Sequence, residues 1–301
     1  MKVNDAKLLL VLCGTCWGLM WPLIKIGVSG LSPWSFRLIG FTVGAATLVG
    51  VVKLSGRSLA VKGAMTWVHL FVSSILNIVA FGVLCTFAML TTTTGRVAVV
   101  SYSFPVWACL FAWLILGEKL RGMVALGLVL CIAGLGVLIY PLLGSADVIG
   151  LSLAVASAVM WAAGTIYLKL VKIPGDLVAV TAWQIVIAAV VLLLCTLLFQ
   201  GWPTFEPAPA NALIAAFLNG LIGSAFCYFL WYRIVDRLPA TTASLGSLLS
   251  PVLGVLISAL ILREVPSTMD VIGFSLIFAA AMCVILRPRG DASAVAAATQ
   301  R

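Results

Sequence analysis

The sequence predicts an all-α integral membrane protein with ten transmembrane helices in two inverted five-helix repeats. Three observations predict it. Hydrophobic residues fill 63% of the 301 positions and charged residues only 9%, against roughly half and a quarter in a soluble domain. The few charges cluster, leaving apolar runs of about 20 residues, the length of helix that crosses a bilayer. The chain is also written twice. Residues 101–120, SYSFPVWACLFAWLILGEKL, return at 247–266 as SLLSPVLGVLISALILREVP, so Pro105 and Glu118 map onto Pro251 and Glu264 at an offset of 146. Gly127 maps onto Gly273 in that register, and a neighbouring register of 144 takes Trp17 to Trp161 and Lys25 to Lys169.

The ten runs are 8–28, 33–53, 66–89, 95–116, 122–141, 148–169, 176–199, 211–232, 240–262 and 268–287. Strands of a membrane barrel would instead be about 10 residues long and alternating. The first run lacks the polar region and small-residue cleavage site of a signal peptide, so it reads as a helix of the mature protein. The longest connections, around 54–64 and 200–210, carry Gly, Ser or Pro and no hydrophobic period. The repeats are 1–144 and 145–290, and the polar, alanine-rich tail 291–301 is expected to be disordered. Each repeat holds five spans, an odd number, so the second enters the membrane from the opposite side. Inverted repeats of this kind recur in secondary transporters.

The net charge of +9 is a membrane signal, not a nucleic-acid one. With the N-terminus inside, fourteen basic residues fall on the inner side. Only Lys25, Arg37, Arg96 and Arg263 fall outside, as the positive-inside rule requires. Both termini are then cytoplasmic. All eight cysteines lie within apolar runs. Cys13-Gly-Thr-Cys16 has no His or second pair to make a metal site, so the thiols read as small packing residues. No phosphate-binding GxxxxGK[ST] loop occurs, and neither a metal nor a cofactor is expected.

A transporter's substrate site belongs near mid-bilayer between the halves. Counting from the span ends places Trp17, Asn77, Pro105, Trp161, Asn219 and Pro251 at that depth. Proline removes the hydrogen bond to the carbonyl four residues earlier, here Ser101 and Ser247. Each freed carbonyl needs a side chain, water or ligand in lipid. Pro22 likewise frees Gly18. The candidate substrate-binding set is therefore Trp17, Trp21, Asn77, Ser101, Tyr102, Trp161, Asn219 and Ser247, with Pro22, Pro105 and Pro251 as hinges. The alternative for the serines is a kink that only shapes packing, and for the asparagines a helix-to-helix pin. Arg37, about 6 Å inside its span at 1.5 Å per residue, either snorkels to the outer headgroups or receives an anion at the outer mouth. Arg96 carries the same two readings. His69 is expected to titrate in the interface. All nine acids lie at or beyond span ends, so no carboxylate proton relay is visible. Glu118 and Glu264 are expected in end-of-helix ion pairs with Lys119, Arg121 and Arg263.

These residues resemble the EamA-type branch of the drug/metabolite transporter superfamily over nearly the whole chain. WGLMWPLIK (Trp17 to Lys25), Arg37 in SPWSFRLIGF, and GRVAVVSYSFPVW followed by LGEKL (Gly95 to Leu120) are similar to its first-, second- and fourth-span motifs. AWQ at 182–184 and SPVLGVLISALILREV are weaker echoes, and Arg263-Glu264 departs from Gly117-Glu118 of the first copy. The resemblance implies export of small metabolites or drugs, often amino acids or related compounds, from the bacterial inner membrane. It also implies a central cavity lined by the first, third and fourth spans of each half. Aromatic side chains and few charges at that depth point to a neutral or zwitterionic solute. The expected partners are a small-molecule substrate and the lipid bilayer, with no nucleic acid, as a monomer or homodimer. A channel would show charge rings or exposed filter backbone. A membrane-embedded enzyme would need a nucleophile with its base or a metal cluster.

Overall fold

The computed structural model describes residues 3–117, 122–171, 173–202, 208–230 and 249–285. Ser247, Glu118 and the tail 291–301 lie outside the described residues. Regular structure among the described residues is helical: α1 (Val3–Val28), α2 (Pro33–Leu54), α3 (Ala64–Ala88), α4 in two pieces (Thr94–Ser101 and Phe104–Leu116), α5 (Met123–Ile139), α6 (Asp147–Val171), α7 (Leu177–Phe199), α8 (Ala210–Leu230), α9 (Leu249–Ile261) and α10 (Thr268–Ile285). Eight, α1 to α8, are long and apolar enough to cross a membrane; α9 and α10 are shorter apolar helices over the described residues. For those eight, the apolar runs and the helices agree within two residues at each end.

Local chemistry starts and stops these helices. Ser32 caps α2, accepting from the Ser35 N–H at 3.1 Å with Pro33 in the first turn, where its missing N–H has no intrahelical role anyway. Asp176 caps α7 by accepting from Val178 and Ala179 N–H at 3.0 and 3.1 Å. Ser267 and Asp270 cap α10 reciprocally, each side-chain oxygen accepting from the other's backbone N–H. Gly117 ends α4 in the left-handed region at φ 68°. Its repeat counterpart Arg263 takes the same conformation, at φ 57°. The second copy thus keeps the turn while carrying a side chain there, a strain of about 1–2 kcal/mol.

Contacts between connections sort the molecule into two ends. At one end Arg57 pairs with Asp176 at 2.9 Å, Trp183 donates to the Leu59 carbonyl, and His69 bonds Tyr167 at 2.7 Å. His69, expected free in the interface, is thus engaged. At the opposite end Gln200 bonds Ser32 and Ser35, Lys25 donates to Met89 and Thr92 carbonyls, and Arg96 reaches Asp147 and Asp270. Successive connections therefore alternate between ends over α1 to α8.

The halves meet along helix crossings built on glycine. A Cβ on Gly18 would stand 2.8 Å from Leu253 and 3.1 Å from the Ser250 carbonyl, and one on Gly254 2.8 Å from Trp21, so α1 and α9 touch backbone to backbone. Gly134 and Gly273 do the same for α5 and α10: a Cβ on Gly134 would meet the Gly273 carbonyl at 3.0 Å. On α8, a Cβ on Gly220 would intrude on the Gly40 carbonyl of α2. Lipid tails are as apolar as leucine, so close packing of small residues replaces the hydrophobic drive between helices. Gly220→Ala is expected to lower the thermal unfolding midpoint of purified protein, at a cost of about 1–3 kcal/mol for overpacking. Gly136→Ala, where nothing lies within 4 Å, is the matched control and should leave the midpoint unchanged.

Candidate functional site

The third helix of each half loosens at its asparagine. In α3, residues Ile75–Ala80 form a π turn containing Asn77; in α8, Asn219–Phe226 form another that begins at Asn219. A π turn widens the helix by one residue, and such turns gather at functional sites. Both asparagines are buried and both engage the opposite half. Asn77 Nδ2 donates to the Trp161 carbonyl of α6 at 3.2 Å. A carbonyl only accepts, so this contact fixes the amide orientation and leaves Oδ1, which is buried without a partner. Gly164 supplies the room: a Cβ there would overlap the Asn77 amide. Asn219 Oδ1 receives the Arg37 guanidinium at 3.4 Å.

Pro105 does more than the expected kink. The helix stops at Ser101, turns through Tyr102 and Ser103, and restarts at Phe104 with Pro105 in its first turn. Ser101 sits fully buried at the break, in a triangle with Ser157 of α6 at 3.0 Å and Cys85 of α3 at 3.3 Å. Ser157 gives its own hydrogen to the Ala154 carbonyl at 2.7 Å, so Ser101 donates to Ser157. The Ser101 hydroxyl therefore joins α3, α4 and α6. Pro22, by contrast, leaves α1 continuous, and the carbonyl-freeing residue Gly18 is the point where α9 lies against it. Pro251 is buried within α9, beside Ser250, whose hydroxyl is buried without a partner.

The break turns aromatic rings along the seam. Trp21 meets Tyr102 edge-on at 6.2 Å, Tyr102 meets Phe104 at 5.9 Å, Phe104 meets Trp161 at 6.0 Å, and Trp161 meets Phe81 at 4.7 Å. This run crosses from α1 through α4 to α6 and α3, with the Asn77 amide against the backbone of Trp161. Trp17 stands apart from it. Its indole N–H donates to the Gly223 carbonyl in the π turn of α8 at 3.3 Å, and its ring meets Tyr228 edge-on at 6.0 Å.

Arg37 does not snorkel. It is 7% exposed; Nε donates to the Gly82 carbonyl at 2.9 Å and to the Thr86 hydroxyl, while the guanidinium lies 5.6 and 5.8 Å from the Phe36 and Phe41 ring centroids. No carboxylate pairs with it among the described residues. Arg96, read as snorkelling or anion-binding, is in an ion pair. It bonds Asp270 through Nε at 2.6 Å and NH2 at 3.1 Å, and Asp147 at 3.2 Å. Glu264, expected to pair with Arg263, instead accepts from the Thr94 N–H at 2.7 Å and its hydroxyl at 3.3 Å, capping the first piece of α4.

Comparison with known proteins decides the family. The model of the EamA-like transporter family matches residues 6–140 and, a second time, residues 148–286. The chain belongs to the EamA-like transporter family. It is 28% identical to the uncharacterized transporter YvbV of Bacillus subtilis over 92% of this chain and 90% of that one. It is 24% identical to the uncharacterized transporter YoaV of the same organism over 82% and 85%. A solved crystal structure shares the fold at a TM-score of 0.63 and 22% identity, covering 94% of this chain and 96% of that one.

The seam of this EamA-like protein brings Trp21, Asn77, Tyr102 and Trp161 into one neighbourhood and Trp17, Arg37 and Asn219 into another, on opposite sides of α1. Ser101 serves the first as a pin, and Ser247 lies outside the described residues. Sequence reading missed Phe81, Phe104, Ser157 and Gly164. Helical spacing carried the signal for three of them: Phe81 lies four residues after Asn77, and Ser157 and Gly164 lie four before and three after Trp161. No cluster of three or more His, Cys, Asp or Glu that could hold a metal occurs among the described residues. Ser101→Ala and Ser157→Ala are each expected to cost about 1 kcal/mol of stability. A double-mutant cycle by thermal unfolding should give a coupling near 0.6 kcal/mol; additive losses would contradict the pin.

Proposed function

We propose that this EamA-like protein is a secondary transporter that exports small metabolites, such as amino acids, related neutral or zwitterionic compounds or drugs, by alternating access. In this reading ten spans form two inverted repeats in the bacterial inner membrane with both termini cytoplasmic. The observation that carries it is that the nominated mid-span polar groups bond across the seam between the halves. Asn77 reaches Trp161, Arg37 reaches Asn219, Trp17 reaches Gly223 and Ser101 reaches Ser157. Groups that join the halves in one state separate in the other, and become the surface a substrate meets. The neighbours are also exchanged in pairs: α1 lies on α9 as α6 lies on α4, and α2 on α8 as α7 on α3. Such exchange is what a two-fold relation between inverted repeats produces.

Arg37 gives the substrate reading its polarity. Burying a cation is costly unless acceptors or an anion surround it, and Arg37 has neutral acceptors and two rings. A substrate carboxylate at Arg37 supplies the anion, and the Asn77 amide oxygen with the rings of Trp161 and Phe81 suits the uncharged or ammonium end. A channel or an enzyme draws no support from this arrangement of neutral, interlocked groups.

In reconstituted liposomes the protein should show saturable counterflow of amino acids or their analogues; ohmic current would favour a channel. Asn77→Ala or Trp161→Ala should lower transport with insertion intact, and wild-type rates in the folded double mutant would remove the site. Arg37→Lys, which loses the planar fork, should lower flux of carboxylate-bearing substrates by about tenfold, the equivalent of about 1.4 kcal/mol. For the topology, cysteines replacing Ser58 and Ser145 should react with impermeant reagents from opposite sides of the membrane.

A further inference from the structure

We propose that a small cavity between Thr93, Ser258, Glu264 and Asp270 binds a monovalent cation, with Na+ the ion that fits, and that this ion joins the two halves at that end of the molecule. The cavity lies where α4 of the first half meets α9, α10 and their connection in the second. Val255 and Phe274 wall it and leave room for one water-sized sphere. The Ser258 hydroxyl lines it, is 1% exposed and has no hydrogen-bond partner. Leaving a buried hydroxyl unmet costs about 1–3 kcal/mol, and a ligand in the cavity removes that cost. Glu264 uses two acceptor positions on Thr94, and an ionised carboxylate has about four.

The charges point to a cation. Three carboxylates, Asp147, Asp270 and Glu264, gather here. Arg96 answers the first two directly at 3.2 and 2.6 Å. Lys25, the next base, spends its ammonium on the Met89 carbonyl at 2.5 Å and the Thr92 carbonyl at 3.3 Å. Arg263, beside Glu264 in sequence, is exposed to the surroundings. With Arg96 and Lys25 both counted, one negative charge keeps no buried counter-charge among the described residues. The available ligands are all oxygen, which suits a hard cation. Two carboxylates, one already held by a guanidinium, are too few for a divalent ion that takes six or more such ligands. K+ is larger than the space.

Ligands from both halves mean that the ion binds only where Thr93 and Ser258 are together. An ion that binds one state better shifts the population toward it by that difference in affinity, so a Na+ gradient would bias the transport cycle. That coupling role rests on the transporter reading; the binding does not.

The test is thermal unfolding of the purified full-length protein in NaCl, KCl and choline chloride at equal ionic strength. Na+ is expected to raise the midpoint saturably while K+ and choline do not. Ser258→Ala should raise the half-saturating Na+ concentration about tenfold, the equivalent of about 1.4 kcal/mol. Equal midpoints in the three salts mean that the cavity holds water only and overturn the proposal, as does an unchanged Na+ response in Ser258→Ala. Should that variant fail to fold, binding of radioactive Na+ to the wild-type protein decides: displacement by Na+ but not K+ supports the site, and no saturable binding overturns it. Because no transport is measured, a negative result leaves the carrier reading intact, and absent counterflow leaves the cation site intact.

Discussion

A polar atom in hydrocarbon has no water to fall back on, and this constraint shapes the interior of the molecule. Each unmet group costs several kcal/mol in lipid, so the polar side chains that apolar spans can carry must find partners in other spans. Here those partners lie mostly in the other half. The Asn77 amide, the Arg37 guanidinium, the Trp17 indole and the Ser101 hydroxyl each bond across the seam. Glycines at Gly18, Gly134, Gly164 and Gly220 bring the backbones close enough for such short side chains to reach. Polar pairing and small-residue packing are therefore two sides of one arrangement.

The same seam is stiff in some places and poised in others. The Ser101–Ser157–Cys85 triangle has its hydrogens placed and its members fully buried. The π turns at Asn77 and Asn219 and the break before Pro105 are different. There the regular i to i+4 ladder is already interrupted, so a helix can bend without breaking further bonds. Rigid pins next to interrupted helices are what a carrier needs: halves that rock as bodies around a few loosened points. The ion pairs of Arg96 close one end of that seam, and the Arg57–Asp176 pair lies at the other.

Much of this was legible residue by residue. The runs that predict eight of the helices match them because span length is set by bilayer thickness, a property outside the chain. The asparagines and tryptophans stood out because amide and indole groups at mid-span have few inexpensive explanations. Pro105 was legible as a disturbance but not as a break. Whether proline kinks or interrupts a helix depends on what takes up the freed groups, and Ser103 and Tyr102 form a turn there that local sequence does not dictate. Arg37 and Arg96 were misplaced for a related reason. Distance from a span end says how deep an arginine sits, whereas its partners come from α3, α6, α8 and α10.

Composition and repetition by themselves determined that the chain is a helical membrane protein written twice, because burial in lipid demands apolar length and a duplicated gene leaves its spacing behind. Tertiary structure alone decided which helices touch, and so which buried groups are spent and which are left over. Hydrogen bonds in lipid act over about 3 Å, while the residues that make them here lie up to 206 positions apart. No pattern read along one strand of sequence carries that distance.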